Sequence, residues 1–263
     1  FHFMTAIKEP PLPTAFFGTA IALFMGFRTN AAYARWWESR TLWGALINAS
    51  RSLYRFTLSL SAASNTGNDL HRDVIRRQIA FANALRCQLR KESVRGEIDR
   101  SAGVLLAEAT AYESNPANAI LNSISLVFAN ELSAGRIDTI QQATVERILI
   151  DIANAQGGME RIKNTPLPNG FRFFPNLFTR IFCLLLPVAL VESLGVATPI
   201  GSTLIGLIFL AVLSIGDDLT DPFANSVHDV PLTAMCRTIE INLLEAARLE
   251  APAPITPVGG VLW

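Results

Sequence analysis

"IALFMGFRTNAAYARWWESR", Ile21 to Arg40, changes chemical character in a single step. Its apolar run ends at Arg28, and within the next twelve residues come Arg35, Trp36, Trp37, Glu38 and Arg40. A greasy segment laid against tryptophans among charges fits a helix leaving a bilayer, because indole rings with a polar N–H settle at the boundary between lipid and water. The same rings packed inside a helical bundle, with Arg35 stacked on a ring face, would give the same local pattern. The rest of the chain has to decide.

Around this step the chain is greasy throughout. Half of its 263 residues are apolar, 17% are charged, and the mean hydropathy is positive. Twenty-two basic residues balance 22 acidic ones, which removes any bulk attraction to nucleic acid or another polyanion. Cys87, Cys183 and Cys236 lie far apart, as do His2, His71 and His228. That spacing supports neither a zinc site nor a disulfide framework, and the thiols are expected to be reduced and structural.

Long uncharged stretches point to membrane crossings, each of which needs roughly 20 apolar residues. Pro10 to Phe27 is 18 residues without an ionisable side chain, and Ile181 to Gly216 is 36 residues interrupted only by Glu192. The longer stretch divides at "GVATPIG", Gly195 to Gly201, a turn signal that yields two helices. Membrane helices are therefore expected over about 12–27, 176–194 and 199–216. Arg28, Arg35, Arg40, Arg51 and Arg55 follow the first run, and Arg172 and Arg180 precede the second, while the turn is uncharged. The positive-inside rule then places residues 28 to about 172, and 217–263, in the cytoplasm. This leaves Phe1 on the outside, so a further span ahead of Phe1 is expected in the full-length protein.

The segment between the spans reads as helical. "QQATVERILIDIANA" repeats Val145, Ile148, Leu149 and Ile152 at helical spacing, with Asp138 and Gln141 set as a capping box. A second stripe, Ile75, Ile79, Leu85 and Leu89, is ringed by Arg72, Arg76, Arg77, Arg86, Arg90 and Lys91, expected to form a solvated outer face. Pro116 should start another helix, Leu232 to Leu249 one more, and "APAPITPVGG" an extended, partly mobile tail.

No catalytic signature is present: GxSxG, HExxH, GxxxxGK[ST] and GxGxxG are all missing. Asp217, Asp218, Asp221 and Asp229 crowd fourteen residues and carry oxygen ligands suited to a hard cation. Acidic residues at the cytoplasmic end of a span, with Asp221 and Pro222 forming a turn, are the preferred reading. A carboxylate-metal enzyme built on them would lack histidines at helical spacing. Glu192, three residues from the turn, is read as hydrated at headgroup level. Thr19, Leu23 and Phe27 recur at i, i+4 and i+8 and share one helix face. That face either packs on another membrane helix or, in an assembly around an axis, stacks apolar rings that narrow a pore.

"FMGFRTNAAYARWWESRTLWG" (Phe24 to Gly44), "RIKNTPLP" (Arg161 to Pro168) and "DDLTDPFANSVHDVPL" (Asp217 to Leu232) together resemble the bestrophin family, specifically its prokaryotic members. The resemblance implies an all-α integral membrane protein with a large cytoplasmic helical body, forming one channel domain over 1–263. It implies four membrane helices per subunit, the first absent from this chain, assembled as a homopentamer in a bacterial inner membrane. It puts the pore neck at Thr19, Leu23 and Phe27, with threonine where an aliphatic residue is common, and a cytoplasmic aperture at Ile137. It implies passive conduction of monovalent ions, cations such as sodium in prokaryotic members and chloride in eukaryotic ones, with membrane lipid as surroundings and no enzyme activity. Pro222 and Phe223 match the pair that precedes the calcium-binding acidic belt of eukaryotic members. Here Ala224, Asn225, Ser226, Val227 and His228 follow, so no cofactor is expected and calcium activation is doubtful, with Asp218, Asp221 and Asp229 left as a weaker cation site. A membrane scaffold that conducts nothing is the competing class.

Overall fold

The computed structural model describes residues 14–63 and 67–263. Among these the chain is helical, and its only β pairing is one isolated bridge. Residues 12 and 13 of the expected first span, and His2, lie outside the described residues. The helices are α1 (Thr14–Ala63), α2 (Gly67–Arg90), α3 (Arg95–Ala102), α4 (Val104–Thr110), α5 (Pro116–Ser133), α6 (Thr139–Asn164), α7 (Asn169–Leu194), α8 (Thr198–Asp218) and α9 (Leu232–Ala246). Two compact units result: one from residues up to Trp36 with Pro166–Thr220, the other from Trp37–Thr165 with Asp221–Trp263.

The chemical step at Arg28 does not end a helix. With no proline between Thr14 and Ala63, α1 runs 50 residues without a break and contributes to both units. In the first unit Ile21 and Met25 of α1 pack against Phe182 and Leu186 of α7 and Leu213 of α8, flanked by Leu190, Ile205 and Phe209. Phe182 and Phe209 meet at 5.1 Å between ring centres. Small residues Ser202, Gly206 and Gly216 are buried on α8 and allow close helix approach. That matters in lipid, where helices associate by packing rather than by expelling water.

The stretch Asn169–Asp218 is long and apolar enough to cross a membrane, and it is divided where "GVATPIG" indicated. The division is shorter than expected: one 3-10 turn, Gly195–Ala197, and then α8 begins at Thr198. Gly195 closes α7 at φ +50°, a left-handed conformation that favours glycine. Glu192 is exposed.

In the second unit α2 packs against α3, α5, α6 and α9. Its stripe Ile75, Ile79, Leu85 and Leu89 is buried as its spacing required. The basic ring departs from expectation. Arg72 and Arg76 are exposed, whereas Arg86 is buried and pairs with Glu97 at 3.1 Å and Glu92 at 3.6 Å. Arg90 donates to the Thr233 hydroxyl at 2.8 Å, and burial lowers its pKa. These cations are interior because α3 and α9 cover that side of α2, which periodicity on one helix does not reveal.

Caps fall where sequence placed them. Asn115 accepts from the Asn118 N–H ahead of Pro116, and Asp138 and Gln141 form the full capping box of α6. The last helix stops at Ala246, three residues short of Leu249. The tail beyond it is irregular to Pro257 and then turns: Val258 and Val261 exchange backbone hydrogen bonds of 2.9 and 3.1 Å across Gly259 and Gly260. Both glycines have positive φ, 60° and 81°, as a tight primed turn demands. The Trp263 carbonyl accepts from the Ala234 N–H at 2.7 Å, tying the tail to the first turn of α9. All three cysteines are unpaired, and full burial pushes the Cys236 thiol up to about 12.

One buried histidine gives the second unit a pH signature. The Thr57 hydroxyl donates to the Tyr54 carbonyl at 2.8 Å, so His71 Nδ1–H donates to Thr57 Oγ1, also at 2.8 Å. His71 Nε2 is buried and unpartnered. Burial, and secondarily the charge of Arg72, hold the His71 pKa below 6.5. The unfolded chain thus binds this proton at a pH where the folded one does not, and stability should decline as pH falls below the ordinary histidine value. Thermal midpoints at about pH 7.5 and about pH 5.5 should differ less in His71→Gln than in the parent; equal differences would contradict this account.

Candidate functional site

The face singled out on α1 is turned away from the core of its own unit. Ile21 and Met25 point inward, while Leu23 and Phe27 are 58% and 60% exposed and Thr19 is exposed as well. Packing of this face on α7 or α8 is thereby ruled out. Two apolar side chains and a threonine are left as a stripe along one side of the helix. Thr19 spends its hydroxyl proton on the Ala15 carbonyl at 2.8 Å, so it presents mainly its methyl and oxygen lone pairs. The stripe offers shape and dryness, with no charge of its own to choose an ion's sign.

The first ionisable group beyond Phe27 is Arg28, and its position was invisible in the sequence. It is 2% exposed and forms an ion pair with Asp217 at the end of α8. Arg172 approaches the same carboxylate at 3.8 Å. A Cβ on neighbouring Gly216 would sit 3.2 Å from Thr29 Oγ1, so the close approach that permits the pair depends on that glycine. Arg28 Nη1 has no partner. Arg28 served above as a topology marker; folded, its charge is cancelled inside the unit and adds no open positive field beside the stripe.

Near the boundary residues, Arg35 donates to the Thr220 carbonyl at 3.4 Å. Trp36 stacks on Tyr33 at 6.1 Å and 17°, and Trp37 is more than half exposed.

Ile137 lies in the turn between α5 and α6. It is only 6% exposed within the single chain. It sits between two ordering devices: Arg136 forks onto Glu131 with two 2.6 Å hydrogen bonds, and Asp138 caps α6. Hydrogen bonding from Arg136 lowers the Glu131 pKa. Within one chain Ile137 is thus enclosed just ahead of a helix cap.

The aspartate cluster does not assemble. Among the described residues no group of three or more His, Cys, Asp or Glu is placed to hold a metal, so Asp218, Asp221 and Asp229 do not form a cation site within the chain. Each of two has local work instead. Asp221 accepts from the Phe223 N–H at 3.2 Å and pairs with Lys163 at 2.7 Å, making the turn that Asp-Pro implied. Asp229 accepts from the Ser226 N–H at 2.6 Å. A short loop spends its carboxylates on backbone donors before they can converge.

Comparison with known proteins agrees with this picture. The family described as bacterial/fungal bestrophin matches residues 1–245. A voltage-dependent anion channel-forming protein of Escherichia coli is 37% identical over 255 residues, covering 95% of this chain and 82% of that protein. One of the same description from Mesorhizobium japonicum is 34% identical over 249 residues, 93% of this chain and 77% of its own. The crystal structure of a bacterial bestrophin homolog from Klebsiella pneumoniae superposes with a TM-score of 0.88 at 34% identity, covering 94% of this chain and 90% of that one. The resemblance read from Phe24–Gly44, Arg161–Pro168 and Asp217–Leu232 is borne out, and so is the all-α fold. This chain belongs to the bestrophin family, whose members are ion channels of the membrane and not enzymes.

Proposed function

We propose that the protein is a homopentameric, passive channel for small monovalent ions in a bacterial inner membrane, crossing it more than once per subunit. The observation that carries this reading is the outward stripe of Thr19, Leu23 and Phe27, which the single chain leaves uncovered. Five copies around an axis would turn it into three stacked rings, with Leu23 and Phe27 the tightest and Thr19 the wider, more polar mouth. A closed cyclic arrangement of identical subunits is the ordinary way for one chain to build such a pore.

For selectivity we propose cations, sodium among them. In support, the arginine nearest the neck is buried and neutralised by Asp217, which removes the obvious attraction for anions. The names of the relatives, voltage-dependent anion channel-forming proteins, favour a second reading, anion permeation. Reversal potentials in planar bilayers under a sodium chloride gradient separate the two. A potential near that of sodium supports the first, and one near that of chloride overturns it. No conductance from correctly assembled protein would leave only a scaffold.

Ile137 is the proposed cytoplasmic aperture, and its burial makes the test discriminating. Ile137→Ala should raise flux if the side chain lines the axis. If it only packs within the chain, flux is unchanged and stability falls by about 2–5 kcal/mol, the usual cost of truncating a buried aliphatic side chain.

A further inference from the structure

The start of α7 carries a polar feature that the channel reading does not use. Asn169, Arg172, Phe173, Asn176, Leu177 and Arg180 line an open cleft of about 620 Å³. Both arginines are exposed, and no acidic side chain lines the cleft. Arg180 Nε donates to Asn176 Oδ1 at 3.3 Å, which steadies its guanidinium across one helical turn. Arg172 makes only the loose 3.8 Å approach to Asp217, a carboxylate already held by Arg28. The contrast with α2 is informative, because the interior arginines there are taken up by Glu92, Glu97 and Thr233.

What lies further along the helix narrows the ligand. At about 100° per residue, Leu177, Leu184, Val188 and Val191 continue the flank that Arg180 and Phe173 begin, within roughly 60° of one another. All four are exposed, Leu184 at 77%, while Thr179, Phe182 and Leu186 face the core. At the start of α7 two guanidinium groups and an amide line one cleft, and from Arg180 an uncovered apolar rail continues along the helix. A free anion would satisfy the first part alone. A molecule that is anionic at one end and hydrocarbon at the other satisfies both.

We propose that Arg172, Asn176 and Arg180 bind the phosphate of an anionic phospholipid whose acyl chains lie along Leu177, Leu184, Val188 and Val191. Guanidinium groups recognise phosphate oxygens through paired, charge-assisted hydrogen bonds, and Asn176 can orient a glycerol headgroup through its amide. The site requires α7 to be a membrane helix and is independent of which ion permeates.

The test uses purified, assembled protein in detergent, titrated with phosphatidylglycerol or phosphatidylcholine of identical chains, with bound lipid counted by native mass spectrometry. Phosphatidylglycerol should bind tighter. In Arg172→Gln/Arg180→Gln its affinity should fall about thirtyfold, as expected for two lost basic contacts, while phosphatidylcholine, whose phosphate charge is offset by its own ammonium, should lose less, so that the preference for phosphatidylglycerol disappears. Arg180→Lys should lie between parent and double variant, and Arg147→Gln, on exposed α6 surface, should match the parent. Equal affinity for the two lipids, or an unchanged phosphatidylglycerol affinity in the double variant, overturns the proposal. Displacement of the lipid by millimolar inorganic phosphate would also overturn it, since the ligand would then be the free anion. An assembled mass and a thermal midpoint matching the parent's guard against a variant that has merely failed to fold, and conductance plays no part in the readout.

Discussion

Alanine in place of Leu23 is expected to raise ion flux through reconstituted protein about tenfold, the effect of lowering a barrier by about 1.4 kcal/mol. The reason is local. Leu23 lies at the middle of an outward stripe whose other members are Thr19 and Phe27, and in the proposed pore an isobutyl group turned to the axis by every subunit would exclude water from a narrow zone. An ion crossing that zone sheds hydration with nothing polar to replace it, so removing the side chain widens the ring and lets water stay. Phe27→Ala should act in the same direction. Thr19→Leu should act oppositely, by narrowing and drying the outermost ring. Flux assays on proteoliposomes, normalised to assembled protein, read all three; unchanged flux in Leu23→Ala would move the neck elsewhere.

The second large effect concerns stability. Asp217→Asn should destabilise the protein by about 3 kcal/mol, because removing the half-buried carboxylate leaves the buried charge of Arg28 without compensation. Arg28 cannot escape to water, being 2% exposed with one guanidinium nitrogen already unpartnered. Arg172, at 3.8 Å from the same carboxylate, contributes less because its side chain is largely solvated. The double variant Arg28→Met/Asp217→Leu should regain much of the loss, since an apolar pair of similar size avoids the desolvation cost altogether. Thermal unfolding in detergent checks both, and a double variant no better than Asp217→Asn would show that the pair does more than cancel itself.

Sequence legibility followed the range of the physics involved. Features fixed within one turn of chain could be read directly: the Asp138/Gln141 capping box, the Pro116 helix start, the Gly195 break, and the inward stripe of α2. Helical spacing also groups Thr19, Leu23 and Phe27 on one face of α1, although not the direction in which that face turns. What required partners distant in sequence could not be read. The burial of Arg86 depends on α3, the pairing of Arg28 depends on α8, and the enclosure of His71 depends on Thr57 and Tyr54. Each is a charge or polar group whose apparent exposure is reversed by an element elsewhere in the chain. Ile137 is a case the sequence leaves open: the family pattern puts it in an aperture, and in the single chain it is 6% exposed beside a helix cap. The Gly259–Gly260 turn carried a legible signal, paired glycines between valines, masked by the prolines before it.

The discontinuous make-up of the first unit also bears on biosynthesis. Ile21 and Leu213 belong to one cluster yet are separated by most of the chain. At roughly 5–20 residues per second on the ribosome, α8 emerges about 10–40 seconds after the start of α1. Until α7 follows, the nascent hydrocarbon surface around Ile21 and Met25 has no native partner, while the α2–α6 segment of the second unit is made in between. The insertion machinery, or the lipid itself, must shelter α1 until its partners arrive, and slowing translation between α6 and α7 should lengthen its exposure to quality-control proteases.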